Sequence, residues 1–88
     1  MIEETVIISN KLGLHARASA KFVQLASAFK SNIKLSLNGQ TVNGKSIMGI
    51  MMLAASKGSE LTISADGPDE AKALPELVAL VQSRFGEE

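Results

Sequence analysis

From the amino end, Glu4 to Ser9 ("ETVIIS") concentrates β-branched residues and predicts a first strand. "NKLG" then turns the chain, with Gly13 as the punctuating residue. Apolar residues recur at Ala18, Phe22, Leu25, Ala26 and Phe29, the i, i+4, i+7, i+8, i+11 series of one helix face. Arg17, Lys21 and Gln24 share the opposite face, and His15 lies at or next to the helix N-cap. Ile33, Leu35 and Leu37 alternate with Lys34 and Ser36, a strand with one wet face. Asn38-Gly39 is a strong hairpin signal, and a short strand, Gln40 to Val42, returns from it. A second helical segment runs from about Ser46 to Ser56, with Ile47, Ile50, Met51 and Ala54 as its core face and Lys57-Gly58 as its end. Leu61 and Ile63 alternate in a fourth strand, and "ADGP" (Ala65 to Pro68) opens a last helix reaching about Phe85.

Pro75 falls inside that last helix, where it removes a backbone donor and crowds the preceding turn. The helix therefore either kinks there or starts late, near Pro75. The order is β-α-β-β-α-β-α. Alternating strands give a sheet with one solvated face, so three helices should cover the other. The expected fold class is α/β (α+β): an open-faced β-sandwich with a four-stranded, mainly antiparallel sheet and three helices on one face.

Composition narrows the chemistry. With 88 residues the chain has room for one core, a single domain over residues 1–88. A hydrophobic fraction of 45% supports a packed core rather than disorder. Nine basic and nine acidic residues cancel, so no global field draws the protein to nucleic acid or anionic lipid, and any anion site must be local. Cysteine is absent and histidine occurs once, which removes disulfides, thiolate ligands and a multi-histidine metal centre. "MIEET" does not resemble a secretory signal, and the apolar stretch Ile47 to Ala55 is too short to span a bilayer. A soluble cytoplasmic protein with no membrane insertion is expected.

The single histidine is the residue with the clearest chemical use. A helix start leaves backbone N–H groups unpaired and carries partial positive charge, a ready anion site. A neutral imidazole there keeps a nitrogen lone pair for attack. Once it takes a phosphoryl group, the amides of Ala16, Arg17 and Ala18 and the Arg17 guanidinium can hold the oxygens, with Lys21 adding diffuse attraction. Neither Asp nor Glu follows His15 closely enough for a local dyad. An isolated histidine at a helix start is more often an ordinary solvated cap; the cap position taken together with the following Arg17 and the Gly13 turn brings the functional reading level with that one.

"GLHARAS" (Gly13 to Ser19) resembles the active-site motif of HPr, the histidine-containing phosphocarrier family of the bacterial phosphoenolpyruvate:sugar phosphotransferase system. "GKSIMGIMMLAASKGSELTISADGPDE" (Gly44 to Glu70) resembles that family's second half, including its regulatory serine region. The resemblance covers essentially the whole chain. It implies that His15 is phosphorylated on Nδ1 by enzyme I and passes the group to enzyme IIA components, without cofactor and without independent enzymatic turnover. Arg17 matches the family's phosphate-stabilising arginine, and Ser46 the serine modified by HPr kinase/phosphorylase. Many members have proline where Ala18 stands, and several a polar residue where Leu12 stands. A nitrogen-branch phosphocarrier of the same family is the nearest alternative.

Ser46, read from its position alone, is an N-cap before an apolar helical run. Met48, Met52 and Ala55 form a stripe beside the core face, and adaptable methionine at a surface suits successive partners. The docking surface is expected to use Ile47, Met48 and Met52 together with Lys21 and Gln24, on a protein expected to be monomeric. Two rivals remain. Gly39 to Ser46 satisfies G-x-x-x-x-G-K-[ST], the phosphate-binding loop pattern, although "NG" assigns its first glycine to a hairpin. A single-stranded RNA-binding sheet would need stacking aromatics, and the chain has three phenylalanines and no Tyr or Trp.

Overall fold

The computed structural model describes residues 1–87. Its elements are β1 (Ile2–Ile7), α1 (Ala16–Ala26), β2 (Asn32–Leu37), β3 (Gln40–Asn43), α2 (Ile47–Met52), β4 (Glu60–Asp66) and α3 (Glu70–Gln82), followed by a 3-10 turn at Arg84–Gly86. The strands form one sheet in the order β1-β4-β2-β3, with every neighbouring pair antiparallel. Period-two alternation sorts its faces. Val6, Ile33, Leu35, Leu61, Ile63 and Ala65 point into the core, while Thr5, Thr62, Ser36 and Thr41 lie on the wet face and hydrogen-bond in pairs. The helices pack on the apolar face, which makes the fold an open-faced α+β sandwich, as the alternation predicts.

Asn38 and Gly39 both take left-handed backbone angles (φ 50° and 83°), the geometry that lets a two-residue turn join β2 to β3. Gly13 is required for a second reason. Its φ is +67°, and a Cβ there would sit 2.3 Å from the Ala55 carbonyl oxygen.

Several boundaries differ from the sequence pattern. β1 spans Ile2–Ile7 rather than Glu4 to Ser9, because β4 extends to Asp66 and gives Ile2 and Glu3 partners at Ala65 and Ser64. α1 begins at Ala16 and ends at Ala26, so Phe29 reaches the core from the following turn, and Leu25 is only partly buried. α2 is half the expected length. It ends at Met52 in two tighter turns (Leu53 N–H to the Ile50 carbonyl, Ala54 N–H to the Met51 carbonyl), after which Ala54 adopts φ 52°.

This early stop rearranges the expected faces. Within α2 only Ile50 is buried, and Leu53 and Ala55 complete the contact; Ile47, Met51 and Ala54 are exposed instead of forming the core face. Ala55, expected on the outer stripe, is 5% exposed, and its carbonyl accepts the Leu14 N–H at 2.9 Å. Met48 and Met52 are exposed, as the stripe predicts. At the other end, α3 starts well before Pro75 and runs through it, which removes the late-start alternative. Pro75 and Ala71, one turn earlier, are both exposed, so the carbonyl that the missing N–H would have met can turn to water.

Candidate functional site

His15 is the N-cap of α1, in extended conformation (φ −75°, ψ −179°), and its carbonyl accepts the first helical bond, from Ser19 N–H at 2.9 Å. The amides of Ala16, Arg17 and Ala18 precede that bond and therefore have no acceptor within the helix. The imidazole makes no capping bond and is free for other use. Its Nε2 lies 2.7 Å from Glu87 Oε2, and the ring remains 27% exposed.

Glu87 is a neighbour of His15 that sequence reasoning missed. Its second oxygen accepts a hydrogen bond from Asn10 Nδ2 at 3.2 Å, and the same amide nitrogen donates to the Gly13 carbonyl at 2.7 Å. Asn10, a plain turn residue in the sequence pattern, is fully buried, and its Oδ1 has no partner among the described residues. Turning the amide over would set its oxygen against two acceptors, so the network itself fixes the orientation. Burial alone would raise the Glu87 pKa. The hydrogen bonds from His15 and Asn10, with the charges of His15 and Lys21, outweigh that and hold the carboxyl below its usual value.

Lys11, Leu12, His15, Ala16, Arg17 and Glu87 line an open cleft of about 700 Å³ in front of the helix start. Arg17 is exposed at this cleft and makes no hydrogen bond or ion pair among the described residues. Gln24 is exposed as expected. Lys21 is not: it is half-buried, and its Nζ donates to the Phe85 carbonyl at 2.7 Å, so its charge serves the C-terminal turn instead of projecting freely from the helix.

Ser46 is the N-cap of α2; its Oγ accepts the Gly49 N–H at 3.0 Å. The segment from Gly39 to Ser46 does not cradle anything. Gln40–Asn43 pairs with β2, Gly44 N–H bonds the Ile33 carbonyl at 2.7 Å, and Lys45 Nζ bonds the Phe29 carbonyl at 2.7 Å. With the loop consumed as a strand and its lysine engaged, the nucleotide-binding alternative loses its geometry. Phe22, Phe29 and Phe85 are all buried, which leaves the wet face of the sheet without a stacking platform for RNA. Among the described residues, no helix is long and apolar enough to cross a membrane.

Fold and site together define a small α+β domain that presents one histidine in an open cleft, beside helix-start amides and a guanidinium that is unengaged among the described residues. The family model described as "PTS HPr component phosphorylation site" matches residues 2–83, and the chain belongs to that HPr phosphocarrier family. It is 58% identical over 87 residues to the phosphocarrier protein HPr of Cupriavidus necator, covering 99% of this chain and 98% of that one. A crystal structure of HPr from Thermoanaerobacter tengcongensis superposes with a TM-score of 0.96 at 52% identity, covering 100% of this chain and 99% of that one. Crh from Bacillus subtilis, whose crystal structure is described as a dimer with a swapping domain, aligns at TM-score 0.78 and 48% identity, over 96% of this chain and 97% of that one.

Proposed function

We propose that this chain, as one domain over residues 1–88, carries a phosphoryl group from enzyme I, itself charged by phosphoenolpyruvate, to enzyme IIA components of the sugar phosphotransferase system in the cytoplasm. His15 is the acceptor. The observation that carries this reading is the engagement of its ring: Nε2 is held by Glu87 at 2.7 Å, while Nδ1 has no hydrogen-bond partner among the described residues, and the ring lines the cleft. The Nδ1 lone pair forms the new bond to phosphorus as the donor's bond breaks and its electrons leave with the donor. The amides of Ala16, Arg17 and Ala18 and the Arg17 guanidinium receive the phosphoryl oxygens, donors already oriented before the charge arrives.

Ser46 is the regulatory site of an HPr kinase/phosphorylase in this reading. Its Oγ already faces a helix-start N–H, so a phosphate there is compatible with the fold while adding about −1.5 to −2 charges at neutral pH. The exposed Ile47, Met48 and Met52, with Gln24 and the stem of Lys21, form the docking surface, and that charge beside them weakens docking by repulsion and desolvation. The carrier works as a monomer and performs no turnover of its own.

Incubation with enzyme I and phosphoenolpyruvate, read by intact mass, is expected to add a single acid-labile phosphoryl group that is absent in His15→Ala. No adduct on the wild type, or an unchanged adduct on the variant, overturns the carrier. Kinase and ATP are expected to give an acid-stable adduct lost in Ser46→Ala; undiminished labelling of that variant removes the regulatory role.

A further inference from the structure

We propose that Glu87 is a positioning residue for phosphoryl transfer: its carboxylate keeps the proton on Nε2 of His15, so that Nδ1 is the nucleophile and Nε2 is closed to the donor. This rests on the reading of His15 as the acceptor.

A neutral imidazole carries its proton on one nitrogen, and the hydrogen bond made by one nitrogen decides the state of the other. A carboxylate is an acceptor only, so at 2.7 Å it selects N–H on Nε2 and leaves the lone pair on Nδ1. When Nδ1 bonds phosphorus, the ring retains its Nε2 proton and becomes positive, and the same carboxylate then faces an opposite charge. Glu87 thus favours the loaded ring as well as the reactive tautomer.

The surroundings show that this carboxylate is held in place. Arg84 and Phe85 both adopt left-handed backbone angles (φ 61° and 55°), unusual for residues with a side chain, which turns the tail back towards α1. That turn is secured by the Phe85 ring, 1% exposed in the core, and by the bond from Lys21 Nζ to the Phe85 carbonyl. The Glu87 N–H bonds the Arg84 carbonyl at 2.9 Å, and Asn10 fixes the second carboxylate oxygen. Asn10 does so at the expense of a buried Oδ1 that has no partner among the described residues, the kind of unsatisfied group whose presence calls for a functional explanation.

The test compares wild type, Glu87→Ala and Glu87→Gln, each at a temperature where a thermal melt shows it folded. ¹⁵N NMR of the neutral His15 ring is expected to show Nε2–H alone in the wild type and an added Nδ1–H population in Glu87→Ala, with Glu87→Gln between them. Phosphoramidate, a small donor that needs no enzyme, should place phosphorus on Nδ1 of the wild type and on both nitrogens of Glu87→Ala. Loading by enzyme I should slow about tenfold in Glu87→Ala, with the KM for enzyme I unchanged. If both variants keep the wild-type tautomer and react on Nδ1 alone, the positioning role is overturned. If enzyme I fails to load even the wild type, the carrier reading falls, while the NMR and phosphoramidate results still decide the role of Glu87.

Discussion

Arg17 shows how much a single side chain can be asked to do on a protein with no net charge. The protein has no net charge to concentrate anions, so the proposed carrier role needs donors within the cleft to capture the phosphoryl oxygens. The helix-start amides are fixed by the backbone, but the guanidinium is exposed and unengaged among the described residues, ready to close on a phosphate. A charged hydrogen bond is worth about 1.5–3 kcal/mol, so Arg17→Ala should slow phosphoryl acceptance by roughly ten- to a hundredfold. Arg17→Lys should recover part of that, because an ammonium supplies charge without the bidentate fork. Initial rates of loading by enzyme I measure both, and an Arg17→Ala rate equal to wild type removes Arg17 from the site.

At the scale of elements, the end of α2 is the informative junction. Its last turn tightens and Ala54 enters the left-handed region, where a Cβ is strained and glycine is the usual occupant. The strain persists because the reversal delivers the Ala55 carbonyl to Leu14 N–H, which in turn anchors the loop carrying His15. Ala54→Gly relieves it without removing a core contact, since the Ala54 side chain is exposed. We expect a net gain of about 0.5–1 kcal/mol, strain relief being offset in part by the flexibility glycine adds to the unfolded chain. Urea unfolding measures this, and a loss of stability would show that Ala54 carries no relievable strain.

At the scale of the whole molecule, Asp69 ties two distant segments together. Although it is the N-cap of α3, its carboxylate makes no cap bond; it accepts from the Ser31 hydroxyl and from the backbone N–H groups of Lys30 and Ser31. Led by the Ser31 hydroxyl, these bonds lower its pKa from 3.8 to about 2. A depressed folded-state pKa means that the unfolded chain takes up the proton first as pH falls. The contribution of Asp69 is therefore complete above about pH 4 and is lost as pH falls towards 2. Asp69→Asn should lower the urea midpoint at pH 7 and narrow its gap to wild type by pH 2. Both proteins should still weaken in acid, because Glu70 and Glu87 are also shifted down. An Asp69→Asn gap that stays constant from pH 7 to pH 2 would show that the carboxylate charge is not what holds the segments.

What the sequence by itself determined was whatever depends on neighbours a few residues apart. Alternation located β2 and β4, β-branched residues located β1, and Asn38-Gly39 located the hairpin to β3; the 3.6-residue period located α1, with His15 at its start, because local sterics and one-sided burial act over those distances. Tertiary structure decided the rest. α2 stops early because the chain must return to meet Leu14, an event with no mark in the helical pattern. Lys21 turns to the tail and not to solvent because a backbone carbonyl brought in by the buried Phe85 ring needs a donor. Glu87 reaches His15 across 72 residues, and no periodicity encodes that distance. The contact exists only once the core has closed around Phe85 and set the tail beside the helix start.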